Sequence, residues 1–357
     1  MSWLLPPLPP KFEAALRDVR AQRPESRMAA AERLGRAEGE ELSPALAGLS
    51  QLAGDVHPGV RATALAALGL IGGEDEMDIV IAGLGDVSPE VREFAALAAA
   101  QIGGDRAVAC LATALESPEP EVRFQAVAGI AELAPDGAAA LLVPLLQDQD
   151  AEVRAQVVSA LANLEEAPLV GHIAGALEDD APNVRLEAAL ALAALGDGRA
   201  EKPLLEALRK RQRLAEVARA LAEIDCKKAC DALAAIALAW LTTPHLRAEL
   251  GAALVQLGDV RGTVALKRVL NGLRPDARSY AVELARTVRA TEVVPELARL
   301  ARRPRGVDLL TLVEALASFR DDSDVARDAL VRLARRDDAV GEAATRALPP
   351  GESAAGR

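Results

Sequence analysis

The chain has 357 residues, 51% of them apolar but only 2% aromatic, and a net charge of −12. Three cysteines are too few for a disulfide framework, and no run of about 18 apolar residues offers a membrane span. A core this poor in aromatic side chains argues against a β-sandwich and for closely stacked helices rich in Ala, Leu, Val and Ile.

Residues 1–12 read Met-Ser-Trp-Leu-Leu-Pro-Pro-Leu-Pro-Pro-Lys-Phe, without the basic start of a secretory signal. A cytoplasmic protein is expected. The excess of Arg over Lys, 35 to 6, points with the abundant Ala to a GC-rich bacterial genome. Residues 1–23 are expected to cap the N-terminus, with Trp3, Leu4, Leu5, Leu8 and Phe12 over the first hairpin. An exposed proline-rich docking segment is the alternative.

A repeat array is predicted over residues 24–348. Its first copy carries Pro24 and Arg27, 34 residues before Arg61, with a longer acidic loop near residues 37–43. Five segments then align without gaps, among them Asp55-Val-His-Pro58-Gly-Val60-Arg61 and Asp86-Val-Ser-Pro89-Glu-Val91-Arg92. Their arginines, Arg61, Arg92, Arg123, Arg154 and Arg185, lie 31 residues apart. The phase returns at Arg247 and Arg278 and persists as an apolar pattern after Leu309 and Val340. After each Arg, apolar residues recur at +3, +4, +7 and +10 (Ala64, Leu65, Leu68, Ile71; Leu250, Gly251, Leu254, Leu257), the buried stripe of a helix. Gly72, Gly103, Gly196 and Gly258 read as helix ends. A further apolar helix completes each hairpin, as at Met77–Leu84. The seventh copy is irregular across residues 209–240: Glu216 replaces the phased Arg, the stripe shifts to Val217, Ala218, Leu221 and Ile224, and the helix start is replaced by the basic patch Arg209, Lys210, Arg211 and Arg213. A short last helix ends near Leu348, and residues 349–357 are expected to be a disordered tail.

The pattern Asp-x-x-Pro-x-Val-Arg-x-x-Ala-x-x-Ala-Leu-x-x-Ile-Gly resembles a HEAT repeat, of the short bacterial kind also found in phycobilisome-lyase-like proteins. The resemblance implies an all-α, right-handed α-solenoid (superhelix) of about ten to eleven two-helix repeats of 31 residues. It further implies that Arg61, Arg92, Arg123, Arg154, Arg185, Arg247 and Arg278 form a structural ladder tying neighbouring repeats, and that the helix after Val-Arg lines the concave face.

Little demands catalytic chemistry. His57, His172 and His245 form neither a His-Glu pair nor an H-x-x-x-H zinc pair. Cys226 and Cys230 share a helical face beside Lys227 and Lys228, so a lowered thiol pKa is conceivable, although buried small residues fit better. No phosphate loop, dinucleotide fingerprint or nucleophile elbow occurs. No cofactor and no metal are expected, and the chain reads as no enzyme.

Residues 1–200 hold 14 Lys and Arg against 31 Asp and Glu, a net −17, whereas residues 201–357 hold 27 against 22, a net +5. This asymmetry can orient a partner and leaves head-to-tail self-association open. The low pI and single Tyr disfavour nucleic acid. If +3, +4, +7 and +10 are buried, the outward stripe includes Phe94, Leu97, Gln101, Gln125, Glu132, Gln156, Asn163, Glu187 and Tyr280, an aromatic anchor in a polar surround. The expected function is a scaffold or adaptor binding another protein there. A phycobilin-lyase-like enzyme or chaperone is the alternative.

Overall fold

The computed structural model describes residues 11–348 apart from 165, 304 and 305. The cap residues Trp3, Leu4, Leu5 and Leu8 and the tail at 349–357 lie outside the described residues. Helices pair into eleven successive hairpins among the described residues. Phe12–Asp18, within the segment read as a cap, is the first helix of a hairpin with Pro24–Leu34. The chain forms two compact units, Met1–Ala191 and Leu192–Arg357. No helix among the described residues is long and apolar enough to cross a membrane.

In the first unit the second helices of the hairpins include Pro24–Leu34, Pro58–Ile71, Pro89–Ile102, Pro120–Leu133 and Ala151–Asn163. Each packs directly on the next. Proline begins four of these helices, where its missing N–H costs nothing and its fixed φ suits the first turn. The first helices are shorter. Two run on into 3-10 turns, Val143–Gln147 after Ala138–Leu142 and Ala176–Glu178 after Leu169–Gly175.

The phased stripe forms the core: Ala64, Leu65, Leu68, Ala95, Ala96 and Ala99 are sealed from solvent. The buried face is also wider than +3, +4, +7 and +10 predicts. Ala67, Ala98 and Ala160, at +6, are buried too, because each second helix is covered by neighbours on both sides. A β-carbon added to Gly35 would stand 2.8 Å from that of Ala67, so helices approach here to a distance that only the smallest side chains permit.

In the second unit Leu214–Glu223, Pro244–Gln256, Pro275–Thr287, Leu309–Ser318 and Ala339–Ala347 stack in the same succession. Leu312, Val313, Leu316 and Phe319 are buried at the expected stripe positions. Pro244–Gln256 also meets the following first helix, Val260–Leu270, closely enough that Gly262 lies against backbone: an added β-carbon would stand 2.5 Å from Gly251 O. At Gly258 a φ of +76° turns the chain, so that Asp259 N–H returns to Leu254 O at 2.8 Å.

Candidate protein-interaction surface

The repeat motif first builds a set of rungs. In Asp55-Val-His-Pro58, the Asp55 carboxylate accepts the His57 N–H at 2.8 Å, closing the turn before the helix. The same carboxylate accepts two parallel bonds from Arg27 of the preceding repeat, at 2.6 and 2.7 Å. Arg61 then binds Asp86 twice at 2.7 Å, while its Nη1 donates to the carbonyl of Asp55 at 2.8 Å. Arg123 and Asp148, then Arg154 and Asp179, repeat the arrangement. Each guanidinium therefore holds its own turn by the carbonyls and the next turn by the carboxylate, in the fork geometry that suits Arg and not Lys. Where the register offers Ser117, Arg92 reaches Glu119 instead, at 3.0 Å, and the Ser117 hydroxyl steadies that carboxylate at 2.9 Å.

These carboxyls stay below their ordinary range. At Asp86 and Asp179 the Arg hydrogen bond is the largest influence, and Asp179 is held at about 2 against an ordinary 3.8. At Asp55 and Asp148 burial is the largest influence and pushes upward, but the guanidinium and the turn N–H together outweigh it.

The carboxylate rungs stop at Asp179. Arg185 binds the carbonyls of its own turn, Asp179 O at 2.6 Å and Asp180 O at 2.8 Å. In the second unit Arg247 donates to Ala237 O and Ala239 O, and Arg278 to Gly306 O and Gly272 O. At the register of the ladder carboxylates the sequence now carries Lys210, Leu241, Gly272 and Arg303.

Of the predicted outward stripe, the structure brings Phe94, Leu97, Gln101, Gln125, Glu132, Gln156, Asn163 and Glu187 onto consecutive second helices of the first unit. They are not uniformly outward. Gln101, Glu132 and Asn163 are exposed; Phe94, Leu97, Gln125, Gln156 and Glu187 are half-buried between neighbouring helices. Polar bridges lace the surface: Gln125 Nε2 reaches Glu93 Oε1 at 3.5 Å and Asn183 Nδ2 reaches Glu152 Oε1 at 2.8 Å. Leu70, at +9 in Pro58–Ile71, is 67% exposed beside this band.

Tyr280 lies in the second unit. Its hydroxyl donates to Glu249, its ring packs against His245, and burial followed by the hydrogen bond to Glu249 pushes its pKa up to about 12. The basic patch is exposed at Arg209, Lys210, Arg211 and Arg213. Lys210 pairs with Glu206 at 2.7 Å and Arg213 with Glu216. Arg211 and Arg213 take left-handed φ values of +56° and +38°, where glycine is the usual occupant.

The cysteine pair gives no activated thiol. Burial is the largest influence on both Cys226 and Cys230 and pushes them up, in keeping with the reading of small buried residues; the Lys228 charge pulls Cys226 down but does not outweigh it. His172 lines a groove of about 580 Å³ beside the last rungs, with Asp148, Arg154, Glu178, Asp179 and Asp180. No group of three or more His, Cys, Asp and Glu is placed to hold a metal among the described residues.

Sequence reasoning missed the most exposed apolar side chains of the second unit. Trp240 is 87% exposed, Leu241 75% and Leu273 95%, all in turns between first and second helices. The available signal was register, since Leu241 occupies a ladder-carboxylate position where no apolar residue is needed to close a turn.

Helical hairpins stacked through a common core, tied turn to turn, make each unit an α-solenoid. Residues 46–119, 111–173 and 140–214 match the family model for HEAT repeats. Among solved structures, YibA from E. coli is 19% identical with a TM-score of 0.51, the alignment covering 70% of this chain and 93% of that one. The CpcE and CpcF complex of phycocyanin lyase from Nostoc sp. PCC7120 is 20% identical with a TM-score of 0.44, over 66% of this chain and 97% of that one. A search of curated protein sequences gives no match.

Proposed function

We propose that this chain is a non-catalytic scaffold or adaptor that holds a protein partner along the second helices of its first unit. The observation that carries the reading is the band on Pro89–Ile102, Pro120–Leu133 and Ala151–Asn163: apolar Phe94 and Leu97 beside exposed or half-buried Gln101, Gln125, Glu132, Gln156 and Asn163. Such a surface combines apolar area with amides that can donate and accept, as protein interfaces do. Its helices are fixed by core and rungs, so a partner would meet a preformed surface and the scaffold would lose little freedom on binding.

The test is affinity capture on the full chain with mass spectrometry. Phe94→Ala with Gln125→Ala is expected to lose a stable partner that the unaltered chain retains, by about tenfold or more, as for truncation of an interface anchor. Unchanged recovery by the folded double variant would sink this face as the interface.

A further inference from the structure

We infer that the turn edge of the second unit is a separate docking surface for an extended acidic protein segment bearing aliphatic side chains. The inference shares with the scaffold reading only the premise that the chain binds protein, and it rests on different residues. Two turns follow one another here, at residues 239–243 and 271–274, and Arg302 and Arg303 close the next first helix. They are neighbours in space: Arg268, at the end of Val260–Leu270, donates to Leu238 O at 3.0 Å, and Arg299, near the end of Val294–Arg302, donates to Asn271 Oδ1 at 2.8 Å. The edge presents Trp240, Leu241 and Leu273 to solvent, interleaved with exposed Arg268, Arg302 and Arg303.

The contrast with the first unit gives the charge its meaning. There the turn edge also carries arginines, but Arg27, Arg61, Arg92, Arg123 and Arg154 each take a carboxylate of the next repeat. In the second unit the carboxylate register holds Leu241, Gly272 and Arg303. Arg268, Arg302 and Arg303 have no carboxylate within ion-pair distance among the described residues, and the nearby acids are engaged elsewhere. Asp276 faces His245 at 3.6 Å, Asp308 caps Leu309–Ser318, and Glu296 is buried beside Lys267 at 3.7 Å. The edge is therefore a row of uncompensated guanidinium groups broken by apolar side chains.

That mixture selects the occupant. Carboxylates answer the guanidinium groups by bidentate bonding, and exposed leucines favour aliphatic partners. A single-stranded nucleic acid would want stacking aromatics along the row, and Leu241 and Leu273 cannot stack a base. Neighbouring helices stand roughly 8–10 Å apart and an extended chain rises about 3.3 Å per residue. A ligand would thus present roughly one acidic and apolar set per three residues.

Fluorescence anisotropy with the full chain tests this. The probe is a labelled nonapeptide of three Asp-Asp-Leu units, with three Asp-Asp-Ser units, three Lys-Lys-Leu units and a twelve-nucleotide oligothymidine as comparators. Saturable, salt-sensitive binding of the Asp-Asp-Leu peptide is expected, with none of the Lys-Lys-Leu peptide. Arg302→Glu with Arg303→Glu, both exposed and outside the core, should weaken it by about tenfold or more. Trp240→Ser with Leu273→Ser should weaken the leucine peptide and leave the serine peptide unchanged. Phe94→Ala with Gln125→Ala should leave peptide binding intact, so that failure of the first surface and failure of this one are told apart. Tighter binding of oligothymidine than of peptide, indifference to the charge reversal, or a concentration-dependent dimer of the unaltered chain that the charge reversal abolishes would overturn the proposal.

Discussion

A single rung shows how much one side chain can carry in this protein. Asp86 accepts two bonds from Arg61 and one from the Ser88 N–H, and both members of the ion pair are only 14% exposed. Asp86→Ala would leave a largely desolvated guanidinium without its counter-charge, and a cost of roughly 3 kcal/mol is expected. Arg106–Asp78 also joins neighbouring repeats, but its carboxylate is 83% exposed, so Asp78→Ala should change stability by less than about 0.5 kcal/mol. Urea unfolding of the two variants separates these cases; equal losses would mean that the rungs contribute no more than surface pairs. The arginines were legible in the sequence because their 31-residue phase is strict. The substitution of Glu119 for the missing carboxylate at Ser117 was not legible: a carboxylate two residues later can serve only because Glu is one methylene longer, and that depends on where the turn points.

The helices follow the periodicity of their apolar residues, but their spacing is set by residues that periodicity does not single out. The +3, +4, +7 and +10 stripe is the part of the core that one helix defines alone. The small residues at +6, and the half-burial of Phe94 and Gln125, are made by the adjoining helix, so they could not be read from any one repeat. Gly262 isolates this effect. Replacing Gly by Ala within a helix ordinarily gains about 1 kcal/mol of helix propensity. Here the new methyl group would stand 2.6 Å from Val255 N and 2.5 Å from Gly251 O, both backbone atoms that cannot rotate away. Overpacking of this kind costs about 1–3 kcal/mol, so Gly262→Ala is expected to be net destabilising, by up to about 2 kcal/mol. A raised thermal midpoint would show that the helices can part without penalty. The seventh hairpin shows the reverse limit. Its shifted stripe was readable, and Val217, Ala218 and Leu221 are buried, whereas the left-handed turn at Arg211 and Arg213 gave no sequence signal because neither residue favours it.

Across the whole molecule the two units differ in how their phased ladder arginines are held. Carboxylates titrate, and those of the first-unit rungs do so below their unfolded range. Their contribution is therefore complete above about pH 4 and is lost as the pH falls towards the folded values, about 2 at Asp179. The second unit ties Arg247 and Arg278 to carbonyl oxygens, which do not titrate in this window. Acidification should thus loosen residues 1–191 before residues 192–357. Brief pepsin digestion at pH 3 reads this directly, since early peptides should map to the first unit; release first from the second would refute the assignment of the rungs as its acid-sensitive fastening. The charge asymmetry seen in the sequence takes on a second meaning here, because five first-unit acids are consumed by the rungs and are not free to steer a partner. The rungs also bear on how such a chain can change in length. Arg61, Arg123 and Arg154 each find their carboxylate 25 residues ahead, and the arginines recur every 31. Excising residues 124–154 would hand Arg123 the carboxylate of Asp179 at the same separation, whereas removing one residue between Arg123 and Asp148 would break a rung. Growth or shrinkage by whole repeats is thereby built into the first unit, and single-residue drift is penalised.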